Sequence, residues 1–175
     1  MDFGNQYSYS QEDIYDRFPE PLFDELDLNI FVDAYHVHNK VMLRSIKGVI
    51  SVAVLTPTTW LLKRQTPVQT STFRAKFTAL KKAVEEAIML RYHLRYMVIK
   101  VRNPSPIFVD NMSVVLNANN PWSSLNNKPL AFIYHFVREN VSNDVVEVRK
   151  NNTKEKYAYP FTKALVSNYF HGFYH

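Results

Sequence analysis

The sequence contains no cysteine. That excludes disulfide bonds and thiolate metal sites, and it fits a reducing, intracellular setting such as cytoplasm or nucleus. No apolar run approaches the roughly 20 residues of a bilayer span, so no membrane helix is expected. The N-terminal stretch MDFGNQYSYSQEDIYDRF is polar and acidic. A leader or transit peptide would start basic or apolar, so none is expected. Low-complexity tracts are absent as well. What remains is an ordinary folding composition: 175 residues, 46% hydrophobic, with a formal net charge of +5. That length suits one domain with a sizeable core, and a basic excess of this kind suits a polyanionic partner.

The pattern of elements begins after residue 24. Residues 1–24 lack a period, and FPEPLFDEL with its two prolines reads as an arm or linker. Residues 25–175 read as the domain. Asn29–Val32 is a short apolar strand. VMLRSIKGVISVAVL at 41–55 reads as a long strand, with Gly48 as a candidate bulge. TPT at 56–58 reads as a turn, and TWLLKRQ at 59–65 as the returning strand. In STFRAKFTALKKAVEEAIMLRYHLRYM, Phe73, Phe77, Leu80, Val84 and Ile88 recur every three to four residues, which predicts a helix with Ser71 or Thr72 as its cap. Lys81 with Glu85 and Lys82 with Glu86 fall four apart, as solvated pairs. Further along come strands over 98–101 and up to Asp110, a short helix over NMSVVLNA, and a polar loop from Asn119 to Lys128. A helix over 129–141, a strand over 145–149, and a terminal helix over 160–170 that starts at a proline complete the chain. The order is βββαβα, then αβα. It predicts an α/β domain: a mixed five-stranded sheet, three strands antiparallel and then parallel ones, with helices on both faces.

One word occurs twice. Ile-Phe-Val-Asp ends at Asp33 and again at Asp110. In an open α/β sheet, functional groups gather at the carboxyl ends of parallel strands. If the two strands are neighbours, Asp33 and Asp110 converge there, and converging carboxylates are a starting point for Mg²⁺. Paired Mg²⁺ ions roughly 3.5–4 Å apart support phosphodiester hydrolysis. A plainer reading serves equally at this point: Asp110 precedes a helix and would be its N-cap, and Asp33 would cap a turn.

The surrounding words narrow this. FVDA at 31–34, TWLLKRQTPVQTST at 59–72, RAKFTALKKAVEEAIMLR at 74–91, IFVDNMSVVLNANNP at 107–121, YHFVREN at 134–140 and YAYPFTKAL at 157–165 follow one another in order. Together they resemble the ribonuclease H domain of copia-type retrotransposon polyproteins, from about Leu28 to Phe170. The resemblance implies a ribonuclease H-like fold and, by descent, a Mg²⁺-dependent endoribonuclease acting on RNA·DNA hybrids. It also implies that residues 1–24 are the tail of a former reverse transcriptase domain. The family's site uses four acids. Carried over position by position, the first and third are Asp33 and Asp110, as catalytic and metal-binding residues. The second position holds Lys76 and the fourth holds Tyr159. Tyr35 replaces a further Asp of the first-strand word, and an acid of many relatives near Ala131 is missing. Each of the changes at 35, 76 and 159 is one nucleotide from the family residue, which fits decay of a mobile-element copy and domestication alike.

The resemblance therefore implies a domain with Mg²⁺ weakly held or absent, and a catalytically inactive protein. The alternatives are residual activity through Asp33 and Asp110, or a non-catalytic nucleic-acid-binding or structural module. Restoring the family acids at 35, 76 and 159 would lower the net charge from +5 to +1, so the bulk charge is a poor guide to nucleic-acid binding. Lys63, Arg64, Lys100 and Arg102 lie near predicted strand ends, where they could contact a phosphate backbone or stand as solvated surface. His36 and His38 alternate on a continuing strand and, with Asp33, are a candidate transition-metal set. Ser71, His93 and Asp110 could be drawn as a triad, but no nucleophile-elbow word accompanies them.

Overall fold

The computed structural model describes residues 25–35, 44–65, 71–120 and 130–151. The expected arm (1–24), His36, His38, Tyr159 and the expected terminal helix lie outside the described residues. The elements are β1 (Leu28–Tyr35), β2 (Ile46–Ala53), β3 (Thr56–Arg64), α1 (Thr72–Tyr96), β4 (Ser105–Val109), α2 (Met112–Asn119), α3 (Ala131–Ser142) and β5 (Val146–Lys150). They form one five-stranded sheet in the order β3-β2-β1-β4-β5. β1, β2 and β3 are antiparallel neighbours, and β4 and β5 run parallel to β1. This is the mixed sheet that the sequence pattern predicts.

Strand alternation assigns the two faces. Leu28, Ile30, Val32 and Ala34 of β1 and Ile107 and Val109 of β4 share one core with Phe77, Leu80 and Val84 of α1. Those three helix residues are fully buried, and each such side chain contributes about 1.5–3 kcal/mol when removed from water. α2 and α3 join the same core through Val114 and Val137. The described helices thus cover one face. The opposite face carries Phe31, Ile50, Val52 and Phe108, with the Phe31 and Phe108 rings stacked at 4.9 Å.

α1 starts where expected. Ser71 accepts a hydrogen bond from the Arg74 amide at 3.3 Å, and Lys81–Glu85 and Lys82–Glu86 pair at 2.7 and 2.9 Å. Buried Gln65, just past β3, donates to the Ala75 carbonyl at 2.8 Å and so anchors the first turn of α1 to the sheet. At the far end, buried Arg91 holds the crossing into β4. It donates to the Ser105 hydroxyl at 2.9 Å, to the Arg102 carbonyl at 3.3 Å and to the Asn103 side chain.

Three local expectations are corrected. The β2–β3 turn is Val54–Leu55, not 56–58. Both turn residues have positive φ, 56° and 101°, and β3 begins at Thr56. A two-residue hairpin normally places Gly or Asn in such conformations, so the sequence carries no signal for a turn at Val-Leu. Gly48 is in regular register, and the irregularity falls between Ser51 and Val52. Residues 98–101 form no full strand; a single bridge joins Leu26 and Val101.

Candidate functional site

Asp33 and Asp110 are brought together by the parallel pairing of β1 and β4. Ile30 stands beside Ile107, Phe31 beside Phe108 and Val32 beside Val109. The next step in that register places Asp33 beside Asp110, on strands about 4.7–4.9 Å apart. The repeated Ile-Phe-Val-Asp word therefore builds two carboxylates at one end of the sheet.

Their surroundings differ. Asp33 lies inside β1, is 8% exposed, and accepts a hydrogen bond from the Ala34 amide at 2.8 Å. Across the sheet it faces Gly48. A side chain there would crowd the carboxylate, so the glycine leaves room at Asp33 rather than forming a bulge. Asp110 is exposed, just past β4. It does not cap α2: Asn111 does, accepting from the Ser113 and Val114 amides at 2.9 and 3.4 Å. The Asp110 carboxylate is left for Lys76, whose ammonium donates to Oδ2 from the second turn of α1.

The basic candidates separate. β2 begins beside the end of β1 and pairs with the end of β3, Ile46 standing opposite both Tyr35 and Arg64. Lys63 and Arg64 are thus exposed at the acid end of the sheet. Lys100 and Arg102 precede β4 and lie at the opposite end. There Glu25 binds Lys100 at 3.3 Å and Arg102 at 3.1 Å, and Asp27 binds Arg102 at 3.1 Å. Lys47, which no motif in the sequence marks, stands directly opposite Lys63 in the β2–β3 register.

Other candidates do not assemble. Ser71 and His93 sit at opposite ends of α1, about 33 Å apart at 1.5 Å per residue, so they form no triad with Asp110. An apolar groove of 480 Å³, lined by Met89, Tyr92, Tyr96 and Phe136 among others, belongs to the distal half of α1, away from Lys76. Among the described residues, no group of three or more His, Cys, Asp or Glu gathers, and no helix is long and apolar enough to cross a membrane.

No family model matches the chain. It is 26% identical over 148 residues to the retrovirus-related Pol polyprotein from transposon RE1 of Arabidopsis thaliana, covering 85% of this chain and 10% of that protein. The corresponding polyprotein from transposon RE2 is 27% identical over 109 residues, 62% of this chain and 8% of that protein. The chain thus spans about a tenth of the length of the curated relatives it matches. Among solved structures, RNase H1 from Halobacterium salinarum superposes with a TM-score of 0.58 at 13% identity, over 78% of this chain and 93% of that one. LC11-RNase H1, solved in complex with an RNA/DNA hybrid, superposes with a TM-score of 0.57 at 13% identity, over 75% and 89% of the two chains.

The sheet order, the helix layer and these superpositions show a ribonuclease H-like fold. The relatives add a likeness in sequence: over most of its length the chain is similar to a segment of the two retrotransposon Pol polyproteins.

Proposed function

We propose that this chain is a copia-type ribonuclease H-like domain that binds nucleic acid, an RNA·DNA hybrid above all, without cutting it. The Lys76–Asp110 ion pair carries the reading. Two-ion phosphodiester hydrolysis needs carboxylates that clamp both cations, and Mg²⁺ demands a near-octahedral set of oxygens. Here a fixed ammonium stands on one of two neighbouring carboxylates. It competes for the oxygen lone pairs and repels a dication, so Asp33 and Asp110 offer at most one weakly held, hydrated ion. Tyr159, at the fourth acid position of the family, carries a neutral phenol, a poor Mg²⁺ ligand. This donor set does not fit a resident Mg²⁺ pair, and no hydrolytic step is assigned to it. Lys63 and Arg64 flank the same end of the sheet and supply sequence-blind backbone contacts. Lys100 and Arg102, held by Glu25 and Asp27, contribute less.

The test is hybrid cleavage measured beside hybrid binding, each with Mg²⁺ and with chelator. Binding is expected in both conditions and cleavage in neither. Lys76→Glu together with Tyr159→Asp is expected to recover Mg²⁺-dependent cleavage. Each change alone should recover little, since groups acting as one catalytic unit are strongly non-additive. Robust cleavage by the unmodified chain, abolished by Asp33→Asn or Asp110→Asn, would overturn the reading in favour of residual activity.

A further inference from the structure

Between Asp33 and Glu85 the sequence has no acidic residue and nine Lys or Arg. This segregation does not depend on Lys76, since eight cations remain without it. The fold gathers part of the stretch into one flank. Lys47 of β2 stands directly opposite Lys63 of β3. Strand alternation puts both on the face of Val49 and Leu61, the side that packs against α1. The same register row begins at Ala34, so Lys63 lies two strand spacings, roughly 10 Å, from β1, while alternation turns the neighbouring Asp33 to the other face. Lys82 and Lys81 of α1 act on Lys47 from above.

Like charges directly opposite one another on neighbouring strands are destabilising. Lys81 and Lys82 are answered by Glu85 and Glu86 at 2.7–3.4 Å. Among the described residues, Lys47 and Lys63 have no ion-pair partner. Burial pushes the Lys47 ammonium below its ordinary range; repulsion from Lys82 adds to this, and attraction from Glu85 opposes it without reversing the direction. An arrangement that opposes itself in the free protein is relieved when an anion lies across it.

We propose that Lys47 and Lys63, backed by Lys82, form a contact site for the phosphodiester backbone of a nucleic-acid strand, running from the end of the sheet where Lys76 meets Asp110 along the α1 side of the β2–β3 flank. The proposal rests on the nucleic-acid reading above and specifies where the backbone runs. It needs no metal and reads no sequence, because charge neutralisation and counterion release supply the affinity.

The experiment is a binding titration in chelator across a KCl series, using a labelled RNA·DNA hybrid and a single-stranded DNA of the same length. The proteins are wild type, Lys47→Gln/Lys63→Gln and, as a cation at the far end of α1, Arg95→Gln. The double variant is expected to weaken binding roughly tenfold or more at low salt. It should also lower the slope of log affinity against log salt by about 1–2, at roughly 0.9 per phosphate contact on duplex. Arg95→Gln is expected to leave the slope unchanged. A thermal midpoint at or above wild type, expected once like charges are removed, shows that the double variant is folded. Binding of the single strand but not the hybrid, with the same lysine dependence, would support this site while sinking the hybrid reading. Wild-type affinity and slope in the double variant, on either probe that wild type binds, would overturn the site and leave the hybrid reading standing. Binding of neither probe by wild type would overturn both.

Discussion

Lys76 and Asp110 belong to different layers of the domain, and the ammonium of the first donates to Oδ2 of the second. The lysine side chain is 16% exposed and the aspartate 39%, so the pair is partly shielded from water. Lys76→Glu would replace an attraction with a repulsion beside Asp33. The expected loss is about 1–2 kcal/mol in chelator, between the values for exposed and buried pairs. Mg²⁺ should raise the thermal midpoint of this variant and leave that of the wild type nearly unchanged. Calorimetry with and without Mg²⁺ checks it. Equal midpoints for both proteins in chelator would show that the pair contributes nothing.

The Val54–Leu55 turn is a second point of leverage. Both residues hold positive φ, a conformation that costs about 1–3 kcal/mol for a non-glycine residue. Val54→Asn with Leu55→Gly supplies the residues such a hairpin favours. A gain of about 1–2 kcal/mol is expected, read as a shift of the urea midpoint at unchanged slope. Unchanged stability would mean that the turn relaxes at no cost.

Arg91 is buried and donates to Arg102, Asn103 and Ser105 in the crossing that delivers β4. Arg91→Ala leaves those groups without their donor and removes a packed side chain. The expected loss is about 2–4 kcal/mol, since hydrogen bonds to a charged group contribute about 1.5–3 kcal/mol. Arg91→Lys should restore only part of it, because an ammonium cannot span the planar fork. Denaturant unfolding of the two variants distinguishes these outcomes.

Acid sensitivity follows from the surface carboxylates. Hydrogen bonds from Arg102 and Lys100 hold Glu25 below the ordinary value of 4.5, and Arg149 does the same for Glu147. Burial pushes Glu85 up, but Lys81 and Lys82 together bring it below 4.5. A carboxylate lowered in the folded state contributes stability that is present above its unfolded value and lost as pH falls through the folded one. The contribution of these three groups is therefore level above about pH 5 and declines below 4.5. Because the pairs are largely exposed, salt should weaken it. Thermal midpoints between pH 6 and pH 3 at low and high KCl test this, and Glu25→Gln should flatten its share of the decline.

Much of the fold is written locally. The spacing from Phe73 to Ile88 and the serine before it determine α1 and its start, since periodicity and capping act within a few residues. The doubled Ile-Phe-Val-Asp word marks two strands that each carry an acid toward the carboxyl end, and the order of elements implies the mixed sheet. The sequence could not tell whether Asp110 was a cap or a site acid. Asn111 takes the cap, and that was decided only when α2 was placed on β4. Nor could it say which carboxylate Lys76 would meet, because that depends on how the first turns of α1 lie over the sheet. The Val54–Leu55 turn was hidden because tertiary pairing of β2 with β3 overrides the local preference against positive φ. Lys47 is unmarked in the chain, and Lys63 stands out there only as a cation near a strand end. Only the antiparallel register sets them face to face, and Coulomb repulsion depends on separation in space rather than along the sequence.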